Sequence, residues 1–164
     1  MAKKNITVTL TMSELIYDVQ NKTYLTGRSR NDGTNHEAVA NMQANDDDEN
    51  INQIMRSIGN AYGTLLVKLS EYIVESGTTA NANLIDSATD ITIALVMPSN
   101  YNNATKDTIA QALHQYIVNT SIGDWFNITD KNDAEDYYTL AGANLEQIRE
   151  ALNKRIRPTR TTPN

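Results

Sequence analysis

Asp46-Asp47-Asp48-Glu49-Asn50-Ile51-Asn52-Gln53-Ile54-Met55-Arg56-Ser57-Ile58 opens the stretch whose reading decides the fold. From there Ile51, Ile54, Met55, Ile58, Tyr62, Leu65, Leu66, Leu69 and Ile73 recur at spacings of three and four. That is the period of a helix with one apolar side, and it predicts about six turns ended by Gly77. The four leading carboxylates suit the positive end of a helix, where a well-placed charge is worth roughly 0.3–1 kcal/mol. They lack the alternating ligands and turn glycine of a calcium loop. Gly59 and Gly63 interrupt the helix on nearly one side, at a cost of roughly 1 kcal/mol each relative to alanine. Close approach of a neighbouring helix, or of a partner subunit, would offset that cost.

Upstream, Ile6-Thr7-Val8-Thr9-Leu10-Thr11 alternates between apolar residues and threonine, the period of a half-buried strand. Thr11-Met12-Ser13-Glu14 has capping-box spacing and predicts a helix that carries Leu15, Ile16 and Val19 inward and fades at Thr26-Gly27. Residues 28–45 lose all periodicity and predict a long polar arm. Downstream, residues 78–88 form a polar connector, and Ile91, Ile93, Leu95 and Met97 share one face of a second strand that Pro98 stops. The two strands are expected to pair, because a lone strand leaves its backbone groups unsatisfied. A third partner could come from another subunit.

A third long helix is expected from Asn103 to Trp125, carrying Ile109, Leu113, Tyr116 and Ile117. A fourth starts at Asp130 or Asn132, with Glu135 at the capping-box position of Asn132. Its stripe is Ala134, Tyr138, Ala141, Leu145, Ile148, Leu152 and Ile156, and Arg157-Pro158 ends it. The fold class is therefore mainly α (α+β): a bundle of about four helices with a small two-stranded antiparallel element. Residues 1–157 make one domain and residues 158–164 a flexible tail.

At 164 residues the chain can bury one real core. Its formal net charge of -6 argues against wrapping by nucleic acid, although a local basic patch stays possible. Without cysteine there is no disulfide, thiolate nucleophile or thiolate metal site. Only two histidines occur, His36 in the arm and His114 beside helix-stripe residues, so neither a histidine metal site nor a nucleophile–base pair is supported. No glycine-rich phosphate loop is present. The longest apolar run, from Ile93 to Met97, is far too short to span a bilayer, and no signal peptide is evident. No catalytic residue, cofactor or metal is expected.

What remains are surfaces. Lys154, Arg155, Arg157 and Arg160 form a basic cluster, read either as favourable charge at a helix C-terminus or as a contact for nucleic acid or an acidic surface. Arg28 and Arg30, with Lys3 and Lys4, would enlarge it if the fold brought them close. Trp125 and Phe126, the only tryptophan and phenylalanine, are expected at the joint of the third and fourth helices as a wedge that sets their crossing angle.

The run Gly123-Asp124-Trp125-Phe126-Asn127-Ile128-Thr129-Asp130-Lys131-Asn132-Asp133-Ala134-Glu135-Asp136-Tyr137-Tyr138, with Lys154-Arg155-Ile156-Arg157-Pro158, resembles virion structural proteins of tailed bacteriophages and prophages of gut Bacteroides-type bacteria. Met97-Pro98-Ser99-Asn100-Tyr101 and Asn21-Lys22-Thr23-Tyr24-Leu25-Thr26-Gly27-Arg28 are similar to it as well. In layout such proteins resemble head–tail connectors (adaptor or head-completion proteins), which form a ring beneath the portal. The resemblance implies a homo-oligomeric ring, commonly twelve-fold in that family, assembled in the host cytoplasm and placed at the head–tail junction of the virion. Its partners would be the portal protein and other neck or tail proteins, with possible contact to packaged DNA and none to membrane. This chain departs from the smallest adaptors in its two strands and long polar arm. The alternative function is a small nucleic-acid-binding or regulatory module using the basic tail.

Overall fold

The computed structural model describes residues 2–80 and 89–161. Most of the expected connector and the last three tail residues lie outside them. Strand β1 (Lys4–Leu10) is followed by helices α1 (Met12–Ser29), α2 (His36–Met42) and α3 (Asp48–Lys68). Strand β2 (Ile91–Met97), a 3-10 turn (Asn103–Thr105) and helices α4 (Lys106–Thr129) and α5 (Lys131–Leu152) complete the order. The protein is mainly helical with one two-stranded antiparallel sheet, as its periodicities indicate.

The strands pair in the register Ile6 with Leu95, Val8 with Ile93 and Leu10 with Ile91, so the apolar residues share the core face and the threonines point away. A third partner for β2 comes from this chain. Ile73 bridges to Leu95, with the Val74 amide donating to the Ala94 carbonyl at 3.0 Å and the Val96 amide to the Tyr72 carbonyl at 2.7 Å. This corrects the extent of the long helix. It stops at Lys68, where the chain turns to lie along β2, and Gly77 lies beyond its end. An apolar residue every third or fourth position cannot by itself tell a last helical turn from a short extended piece.

Helix α4 is the centre of the bundle and packs against all four other helices and β1. Its buried residues run Tyr116, Ile117, Val118, Asn119 and then Ser121, Ile122, Gly123, so it has no single apolar stripe. A helix enclosed on all sides needs none. It also extends past Trp125 to Thr129, which moves Trp125-Phe126 from the expected joint into the last turns of α4.

The expected arm at residues 28–45 is largely folded. Helix α1 continues to Ser29, and α2 folds back on it and buries Met42. Gly27 makes this approach possible, because a Cβ there would stand 3.1 Å from the Val39 carbonyl oxygen. Between the helices, the amide of Gly33 donates to Asn31, and the amides of Thr34 and Asn35 donate to Asp32. Seven residues, with Val39 and Met42 the only large apolar ones, are too short for periodicity to reveal α2.

Four local expectations are corrected. The Thr11 side chain does not cap α1; the Met12 amide instead donates to Asp90 Oδ1 at 3.0 Å. Helix α5 is capped by Asp130, whose Oδ1 accepts from the Asn132 amide at 3.1 Å, and not by the Asn132/Glu135 pair. It ends at Leu152, so Ile156 is no part of its stripe and is 52% exposed. Among the described residues nothing stands within 4 Å of a Cβ placed on Gly63, so no neighbouring helix approaches it there.

Candidate functional site

The basic cluster begins where α5 ends. The Asn102 amide donates to the Lys154 carbonyl at 3.1 Å and the Ile156 amide to the Asn100 carbonyl at 2.8 Å, a short antiparallel pairing that pins residues 154–156. Arg155 donates to the Leu152 carbonyl at 2.8 Å and so satisfies an orphan group at the α5 C-terminus. Lys154 pairs with Glu150 at 2.8 Å, and that hydrogen bond holds the Glu150 carboxyl below its ordinary range. Lys154 and Arg155 thus do the helix-terminal work of the first reading. Arg157 and Arg160 are exposed and have no ion-pair partner among the described residues.

Lys4 joins this end of the molecule, its Nζ donating at 2.8 Å to the carbonyl of Tyr101, the residue that bridges to Arg155. Arg28 and Arg30 do not. Arg30 pairs with Asp133 in the first turn of α5, and this hydrogen bond raises the guanidinium further above its ordinary range. Measured along α5 at 1.5 Å per residue, Asp133 and Leu152 are about 29 Å apart. The single positive region that sequence proximity allowed is therefore split between two ends. Arg28 is exposed at the end that holds Asp133.

Trp125 and Phe126 are structural anchors, in the middle of a larger assembly than a two-helix wedge. Trp125 Nε1 donates to the Met42 carbonyl at 2.9 Å and ties α2 to α4. Phe126 is fully buried and meets the Tyr137 ring at 5.5 Å between centroids, tilted by 46°. The Tyr137 hydroxyl lies 2.6 Å from Thr26 Oγ1 on α1. Two adjacent aromatics therefore hold α1, α2, α4 and α5 in one knot. Nothing near Asp133 or Tyr137 in the sequence announces these contacts, because their partners, Arg30 and Thr26, are more than a hundred residues away.

The remaining titratable candidates have structural partners. His114 Nε2 lies 2.6 Å from Asp18 Oδ2, and Lys22 donates to Gln115 at 2.8 Å, both joining α1 to α4. His36 is exposed at the start of α2. Among the described residues no group of three metal-ligating side chains converges, and no helix is long and apolar enough to cross a membrane. No family model matches the chain, and no curated protein or solved structure shows significant similarity to it.

Proposed function

We propose that the chain is a non-enzymatic structural subunit of a tailed-phage virion, an adaptor-like part that joins two different neighbours at the head–tail junction. The observation that carries this reading is the separation of charge along the bundle. At one end lie the acidic start of α3 (Asp46 to Glu49) and that of α5 (Asp130, Asp133, Glu135 and Asp136), which outnumber the Arg28, Arg30 and Lys131 found there. Asn45 and Asn50 share a cleft there with Trp125 and Ile128. At the other end lie Lys4, Lys154, Arg155, Arg157 and Arg160. Helix α4 puts about 36 Å between them. Oppositely charged ends favour different partner surfaces and penalise the wrong ones, which suits a part held between two unlike rings. The exposed segment after Ile156 would reach across one of those junctions, and symmetry would multiply each weak contact.

Detection of the chain in purified virions, together with ring-sized assembly on the portal protein, tests the proposal. Consistent absence from particles overturns it. The unpaired Arg157 and Arg160 favour a second reading as a nucleic-acid contact. Under that reading a monomer binds DNA with affinity that falls steeply as salt rises.

A further inference from the structure

Strand β1 has one partner. Among the described residues its outer edge makes no backbone pairing, so the amides and carbonyls of the alternate residues Asn5, Thr7 and Thr9 face outward. Edges of this kind are usually blunted by a bulge, a proline or an inward charge, because they pair with any strand that reaches them. Residues 5–10 carry none of these, and the one charge on the strand, Lys4, stands at its first position with its ammonium on the Tyr101 carbonyl. A groove of about 450 Å³ follows the edge between Lys4–Thr7 and the start of α4, lined also by Asn103 and Lys106. A separate one of about 280 Å³ lies at the other end of the strand, lined by Thr9, Leu10 and Glu14 and by Ala110 and His114 of α4.

We propose that this edge pairs with the same edge of a second copy, antiparallel about Thr7. Three features of the strand fit that occupant. First, the register keeps each face intact: Ile6 opposes Val8 of the second copy on the core face, and Asn5 opposes Thr9 of the second copy on the outer face. Second, Ile6 is the one core-face apolar residue of β1 left half-exposed, while Val8 and Leu10 are buried. The pairing covers it with an apolar neighbour. Third, Lys4 and Lys106 line the groove at one end of the strand and Glu14 lines the one at the other, so antiparallel pairing sets the basic end of each copy against the acidic end of its mate. A two-fold contact of this kind closes on itself and gives a dimer, so it describes the free chain and not a ring.

Sedimentation of the purified chain over a range of concentrations tests this. The expected result is a reversible monomer–dimer equilibrium. Lys106→Glu and Glu14→Lys should each weaken the dimer about ten-fold, since each places like charges together at two symmetric positions. The double variant should restore it. Ile6→Lys, an inward charge on the edge, should abolish pairing while the circular dichroism spectrum stays native. If Ile6→Lys does not fold, the two charge reversals and their combination decide. A monomer at every concentration overturns the proposal, and so does a dimer indifferent to all three substitutions. These results are independent of whether the chain is found in virions.

Discussion

Replacing Trp125 with phenylalanine isolates the bond that fastens α2. The indole nitrogen donates to the Met42 carbonyl at 2.9 Å, and both groups are buried. A typical hydrogen bond contributes about 1 kcal/mol net, and leaving a buried carbonyl without a partner costs about 1–3 kcal/mol. Phenylalanine keeps most of the apolar ring, so the loss should be about 2 kcal/mol. For a domain of this size that lowers the melting midpoint by roughly 4–8 °C. Urea unfolding should give the same loss at an unchanged slope. The damage should also be local. Besides Trp125, α2 is held by Met42, by the Ala44 amide donating to Thr23 Oγ1 at 3.2 Å, and by its approach to Gly27. Amides from His36 to Met42 should therefore lose exchange protection well before those of α4. Phe126→Ala is the control: it opens a cavity in the knot between α4 and α5 and should cost about 3–5 kcal/mol, spread over the whole fold. A midpoint within about 1 °C of wild type for Trp125→Phe, with unchanged exchange in α2, would mean that this bond does not hold the helix.

Gly63→Ala should stabilise the protein by up to about 1 kcal/mol in chemical denaturation, because the site is helical and a Cβ there meets nothing. A loss of stability would show that this face of α3 is covered in solution. Lys154→Ala should return the Glu150 carboxyl towards its ordinary range, as read by carbon-detected NMR titration. Because pairing depresses that group in the folded state, any stability it lends is present above its unfolded pKa and fades as pH falls through the folded value. The pair is exposed, so the effect should also shrink in salt. Truncation after Ile156 should leave the melting midpoint nearly unchanged, since Arg157 and Arg160 are exposed and make no ion pair among the described residues. If truncation leaves assembly and DNA binding alike unaffected, the terminal basic residues serve neither.

The strands were legible because their signal is local and complete. Alternation in Ile6-Thr7-Val8-Thr9-Leu10 and in Ile91 to Met97 states both the element and its buried face, and two such strands satisfy each other. The stripes of α3 and α5 were largely legible for the same reason, since each helix buries one side and shows the other to water, although Tyr138 and Ile156 of the expected α5 stripe are exposed. Helix ends were less so. Asp90 reaches back across the sheet to serve the first amide of α1, and no spacing near Thr11 can announce a donor–acceptor match 78 residues long.

Charge, composition and periodicity thus determined by themselves a mainly helical domain with a paired sheet, since those depend on the order of residues along one element. Tertiary structure alone decided that α4 lies at the centre, that the arm folds into α2, and that Arg30 parts from Lys154 and Arg155 while Lys4 joins them. It also turned Trp125-Phe126 from a joint into a knot of four helices. Each of these depends on where distant segments meet, and the free energy of such a contact belongs to both partners at once.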